Sequence, residues 1–115
     1  GYLYSGGNTL DNVGCWHRHN SDLTTLPVAQ KSANELGLYD MSGNVWEWCS
    51  DWVGAYSSSP QTNPIGPSTG SYRVLRGGSW FSYYATCCRV TYRNCRSPWD
   101  RYCEGGVRLA LSSSH

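Results

Sequence analysis

Apolar residues along this chain fall in short alternating runs, and the long 3.6-residue stripes of amphipathic helices are absent. Tyr72-Arg73-Val74-Leu75-Arg76 alternates apolar and polar positions and stops at Gly77-Gly78. Arg89-Val90-Thr91-Tyr92-Arg93 and Val107-Arg108-Leu109-Ala110-Leu111 repeat the pattern. These runs predict strands over 72–76, 89–93 and 107–111. Upstream, Leu38-Tyr39-Asp40-Met41-Ser42-Gly43-Asn44 reads as a turn leading into the aromatic strand Val45-Trp46-Glu47-Trp48, whose bulk favours extended backbone.

Turn residues punctuate the remainder. Residues 1–35 read as loops and short strands, with turns at Ser5-Gly6-Gly7-Asn8 and Asn20-Ser21-Asp22. Residues 54–71, rich in Ser, Pro, Gly and Thr, predict a long surface loop within one domain. Two aromatic, Cys-bearing loops, 81–88 and 94–104, separate the last three runs, and the tail Ser112-Ser113-Ser114-His115 is expected to fray.

At 115 residues the chain suffices for one domain. Six Trp and nine Tyr stand against one Phe and one Met, and such amphipathic rings serve a small core and a binding surface equally well. A net charge of +1 with scattered Arg gives no nucleic-acid footprint, and no apolar stretch approaches membrane-span length, so neither nucleic acid nor membrane insertion is expected. Cys15, Cys49, Cys87, Cys88, Cys95 and Cys103 include no CxxC pair, so a simple zinc site is not expected. Most are read as free or surface thiols, with room for one disulfide. His17 and His19 would share one face of a strand, within reach of a metal, or stand exposed in a loop without a third ligand.

Three motifs narrow the reading. Asn34-Glu35-Leu36-Gly37-Leu38-Tyr39-Asp40-Met41-Ser42-Gly43-Asn44-Val45-Trp46-Glu47-Trp48, then Tyr72-Arg73-Val74-Leu75-Arg76-Gly77-Gly78-Ser79-Trp80, then Gly106-Val107-Arg108-Leu109, in this order, resemble the formylglycine-generating enzyme, or sulfatase-modifying factor, family. The resemblance covers nearly all of 1–115 but only the C-terminal half of the family's domain. It implies an α+β, C-type-lectin-like fold of short strands and irregular loops.

Members of that family oxidise a sulfatase cysteine with a copper-binding cysteine pair after the Gly-Gly-Ser-aromatic motif. The matching positions here are Ser82 and Cys87. A hydroxyl is a poor ligand for Cu(I), which prefers soft thiolates, so no copper site and no catalytic residue are expected. The family also binds structural calcium at positions matching Asp40, Gly43, Val45 and Glu47. A turn with a carboxylate at each end and a glycine bend suits the six to eight oxygens calcium takes. The other reading is that Asp40 and Glu47 cap turns or pair with Arg. A second family site would match Asn12, Val13, Asn20 and Asp22, with neutral Asn20 in place of a carboxylate.

The segment after Gly78-Ser79-Trp80 also resembles the variable proteins of diversity-generating retroelements, in which selected loop positions are mutated. Phe81, Ser82, Tyr83, Tyr84, Thr86, Cys87, Cys95, Arg96, Trp99, Asp100, Tyr102, Cys103 and Glu104 are the expected ligand-binding positions within 81–104. Rigid rings give contact area at low entropic cost, and Arg96 and Asp100 would add charge at the rim. The competing reading places these rings in the core. Two functions follow: a non-catalytic domain binding a protein or glycan through its loops, or a formylglycine-generating oxidoreductase. A cell-surface or extracellular placement accords with the first.

Overall fold

The computed structural model describes residues 1–14 and 21–111, and the elements follow the aromatic and β-branched segments. One helical turn, α1 (Leu10–Val13), precedes four strands: β1 (Trp46–Trp52), β2 (Arg73–Arg76), β3 (Asn94–Arg96) and β4 (Gly105–Gly106). They form one sheet in the order β3-β2-β1-β4. β2 runs antiparallel to both neighbours, with Trp48 opposite Leu75 and Val74 opposite Cys95. β4 joins β1 in parallel, Trp46 facing Gly105 and Glu47 facing Gly106. The register slips between Trp48 and Trp52, the irregularity a bulge introduces into an antiparallel pair.

Two buried groups hold the sheet. Trp46, Val74 and Leu75 fill it from β1 and β2. Tyr4, Leu10, Val13 and Cys88 cluster together, with Ala85 packed against them. That second cluster ties the N-terminal segment to a 3-10 turn at Ala85–Cys88, and the Val90 N–H bonds the Leu3 carbonyl beside it. Gly78 makes the approach feasible. Its φ is +76°, and a Cβ there would collide with Cys88 Sγ.

The 40–44 turn is equally specified. Asp40 and Asn44 both adopt left-handed backbone, which these residue types tolerate better than most, and Gly43 lies between them at φ +84°. The Asn44 amide pairs with Leu26 in both directions, accepting from its N–H at 3.2 Å and donating to its carbonyl at 3.3 Å. The Gly43 N–H reaches the Gly77 carbonyl at 2.7 Å and couples this turn to the end of β2.

Two expected strands are corrected. Residues 89–93 turn instead of extending, with the Arg89 N–H on the Thr86 carbonyl and the Tyr92 N–H on the Arg89 carbonyl. The chain joins β2 only from Asn94, because the 3-10 turn and its exit consume the residues that alternation assigned to the ladder. Residues 107–111 lie outside the sheet beyond β4. Val107, Leu109 and Leu111 are exposed, while Arg108 is drawn aside by polar contacts. Residues 55–71 form the expected exposed loop.

Candidate functional site

The Gly77-Gly78-Ser79-Trp80 segment organises the first loop. The Ser79 N–H donates to Ser82 Oγ at 2.9 Å, the Ser82 N–H returns to the Ser79 carbonyl at 3.0 Å, and the Phe81 N–H donates to Ser79 Oγ at 3.2 Å. Ser79 Oγ in turn donates to the Glu104 carboxylate at 2.8 Å, and the Glu104 carbonyl accepts the Trp46 N–H at 2.7 Å. The root of loop 81–88 and the end of loop 97–104 therefore meet at the start of β1.

Beyond these roots the expected positions divide. Trp99 is 88 % exposed, Tyr83 68 %, Tyr84 67 % and Phe81 53 %. Phe81 lies edge-on to Trp80 at 5.4 Å and Tyr83 edge-on to Tyr84 at 5.0 Å, orientations suited to the ring quadrupole. Thr86, Cys95, Arg96, Asp100 and Cys103 are also exposed. Ser82 is 6 % exposed, its hydroxyl used by the turn rather than offered outward. Glu104 is half-buried and holds Ser79. Tyr102 is half-buried too, edge-on to Trp48 at 6.3 Å, with the Arg96 guanidinium 4.1 Å over its ring. That guanidinium contacts the ring face, and the Tyr102 hydroxyl is buried without a hydrogen-bond partner. Burial, first, raises the Tyr102 pKa.

The thiols show how far the copper chemistry could go. Ser82, matched to the first cysteine position, is bound into the turn, while Cys87 is half-buried. The charge of a Cys87 thiolate, first, raises the Tyr92 pKa. Cys88 is fully buried beneath Gly78. Cys49 lines a cleft, and burial followed by the Asp51 charge raises its pKa, which disfavours the nucleophilic thiolate. Cys49, Cys87, Cys95 and Cys103 are free thiols. Among the described residues no three His, Cys, Asp or Glu side chains group as a metal site. Cys15, His17, His19 and Asn20 lie outside the described residues, so the histidine pair and the Asn12, Val13, Asn20 and Asp22 set go without a geometry.

The residues matched to calcium are engaged. Both Glu47 oxygens receive the Arg108 guanidinium, at 2.7 to 3.1 Å. Asp40 Oδ2 accepts the Ala29 N–H at 2.8 Å. The same guanidinium donates to the Tyr39 and Asp40 carbonyls at 2.9 and 3.2 Å. Gly43 and Val45 complete the turn without a side-chain oxygen to add. Hydrogen bonding to Glu47, first, raises the Arg108 pKa. Asp40 thus caps the turn and Glu47 pairs with an arginine, the contacts of the other reading of these two carboxylates. Arg108 was the residue that alternation hid, since it reads as the polar member of a strand. Its place in Gly106-Val107-Arg108-Leu109 was the available signal.

A cleft of about 650 Å³ was also missed. It lies between β1, β2 and the 54–67 loop, with Trp52, Tyr56, Arg76 and Arg93 on its walls and none of the loop aromatics lining it. Arg93 stacks on Tyr56 at 4.1 Å, and Arg76 donates to the Tyr56 hydroxyl at 3.0 Å.

Comparison with known proteins decides the family. Residues 2–113 match the sulfatase-modifying factor enzyme 1-like domain. The chain belongs to that family. It is 37 % identical over 127 aligned residues to a formylglycine-generating enzyme of Streptomyces coelicolor, an alignment covering 96 % of this chain and 40 % of that protein. Its structure superposes on Treponema denticola variable protein 1 with a TM-score of 0.85 at 40 % identity, covering 93 % of this chain and 40 % of that one. A serine/threonine-protein kinase Pkn1 of Chlamydia trachomatis is 53 % identical over 86 residues, 71 % of this chain and 14 % of that protein. This member of the sulfatase-modifying factor family thus has the expected α+β, C-type-lectin-like fold of the formylglycine-generating type, and a variable protein is among its structural neighbours. It spans about two fifths of the length of the first two relatives.

Proposed function

We propose that this domain is a non-catalytic binding module that takes a protein or glycan ligand on its aromatic loops. The observation that carries the reading is the contrast within one stretch of chain. Ser79 and Ser82 are buried and bonded to each other, while Phe81, Tyr83 and Tyr84 between and after them face solvent. A rigid root under exposed rings is the arrangement recognition loops use. Trp99, the most exposed of these rings, would be an anchor, with Arg96 and Asp100 beside it as charged rim. Tyr102 and Glu104 support the loops from behind. The likeness to a variable protein favours the same role, while the likeness to formylglycine-generating enzymes keeps the oxidoreductase as the second reading.

Wild type, Tyr84→Ala and Trp99→Ala would be applied to a glycan array and an array of secreted proteins. Ligands held by wild type and lost by both variants, at unchanged melting temperature, support the module. Ligands retained by both variants remove it. For the second reading, Cu(I) titration should find no tight stoichiometric site, and turnover of a cysteine-containing sulfatase peptide would overturn the non-catalytic assignment.

A further inference from the structure

We propose that the cleft between β1, β2 and the 54–67 loop is a second ligand site, separate from the aromatic loops, and that it takes a small carboxylate with an apolar body. The wall of this cleft is tied down by its own contacts. The loop leaves β1 and returns to β2 at the same end of the ladder, where the Val53 N–H bonds the Tyr72 carbonyl at 2.9 Å. A Cβ on Gly54 would strike the Pro67 ring, so the two ends of the loop are in contact. Between them the Gln61 amide donates to Ser57 Oγ at 3.2 Å and to the Pro60 carbonyl at 3.3 Å, which ties the tip to itself. The cleft volume of about 650 Å³ falls within the about 300–1,000 Å³ that small-molecule sites occupy.

The charges in the cleft select the ligand. Arg76 and Arg93 both rest on Tyr56, Arg76 through the hydroxyl at 3.0 Å and Arg93 across the ring face at 4.1 Å. Both arginines are half-buried, and neither is paired with a carboxylate among the described residues. Arg76 is spent further on the Thr91 and Tyr92 carbonyls, at 3.2 and 2.9 Å. The stacking of Arg93 uses the face of its guanidinium and leaves the N–H groups at its edge for a ligand. That planar fork is the geometry a carboxylate meets with two parallel bonds. Asp51 is the acid on the same walls. Two arginines against one aspartate leave a single positive charge in excess, which matches a monoanion better than a phosphate dianion. Trp52 and Ile65 add apolar wall for the body of such a ligand.

The test is a heteronuclear NMR titration of the whole chain with N-acetylphenylalanine, its uncharged amide N-acetylphenylalaninamide, and phenyl phosphate, each to about 10 mM. The acid should shift amides of residues 51–67 and bind about tenfold more tightly than the amide, and more tightly than the phosphate. Arg93→Met keeps the stem without the fork and should lower affinity for the acid about tenfold, and Arg93→Lys should recover only part of that loss. Asp51→Asn removes the opposing charge and should tighten binding of the acid about threefold. The tetrapeptide Ala-Ala-Ala-Phe with a free carboxyl end separates two sources of the same chemistry. Tighter binding than the acetylated residue assigns the end of a peptide, and equal or weaker binding assigns a free acid. Shifts confined to 81–88 and 97–104, no shift with any probe, or phosphate or amide bound as tightly as the acid overturns the proposal. So does an affinity for the acid that Arg93→Met leaves unchanged. Should Arg93→Met fail to fold, tighter binding by Asp51→Asn upholds the proposal and unchanged binding overturns it.

Discussion

The turn before β1 and the loops after β2 use polar residues in opposite ways. In the 39–47 turn every strong acceptor faces inward. Asp40 takes the Ala29 N–H, Asn44 embraces Leu26, and Glu47 grips Arg108. At the root of loop 81–88 Ser79 and Ser82 bond each other and Ser79 reaches Glu104, while the rings of Phe81, Tyr83 and Tyr84 are left exposed. A segment whose hydrogen bonds reach distant parts of the chain tolerates little change. A loop held at its root, with its large rings exposed at the tip, leaves those tip positions freer to vary.

The largest test of that contrast is at the boundary. Gly78→Ala puts a Cβ into Cys88 on left-handed backbone and should lower stability by about 3 kcal/mol or more, measured by urea unfolding. A change under 1 kcal/mol would show that the loop root is soft. Next, Glu47→Ala strips Arg108 of its carboxylate. We expect a loss of about 1.5 kcal/mol, reduced from the cost of a fully buried pair because Arg108 is one-third exposed. By comparison, Tyr83→Ala and Trp99→Ala should stay within about 0.5 kcal/mol of wild type, since each exposed ring has little buried area to lose. Losses as large as that of Glu47→Ala would make the loop rings structural and erase the difference between the regions.

The smallest effect sharpens the division inside the second loop. Tyr102→Phe removes a buried hydroxyl without a partner and should be neutral or stabilising by about 0.5 kcal/mol at neutral pH. The raised Tyr102 pKa adds a pH signature. Stability from the neutral phenol is fully present below the ordinary tyrosine value near 10 and is lost as pH rises through the higher folded value. The wild type should therefore lose stability relative to Tyr102→Phe above about pH 10. Parallel curves would place Tyr102 in water, among the exposed rings.

Much of this was legible one residue at a time. Trp46 and Trp48 marked β1, and Val74 and Leu75 marked β2, because a pleated strand between two neighbours needs bulky residues and both segments had them. Arg89-Val90-Thr91-Tyr92-Arg93 and Val107-Arg108-Leu109-Ala110-Leu111 alternated as clearly and are not strands. Alternation reports that a segment could be half-buried in a sheet, not that a neighbour is present to bond it. Ser82 was misplaced among the outward positions for a related reason. A small hydroxyl looks like surface until the N–H three residues earlier is seen to need it.

The sequence by itself determined the family, through motifs whose glycines and aromatics have few substitutes, and with the family the fold and the two strands at its centre. It also supplied the loop rings, but that Phe81, Tyr83, Tyr84 and Trp99 lie outside the core was decided by the structure. Only the tertiary structure decided which polar groups are partners. Arg108 and Glu47 stand 61 residues apart, and no local pattern distinguishes a carboxylate waiting for calcium from one already held by arginine. Hydrogen bonds are short and directional, so that choice is made only when folding brings the two ends within 3 Å.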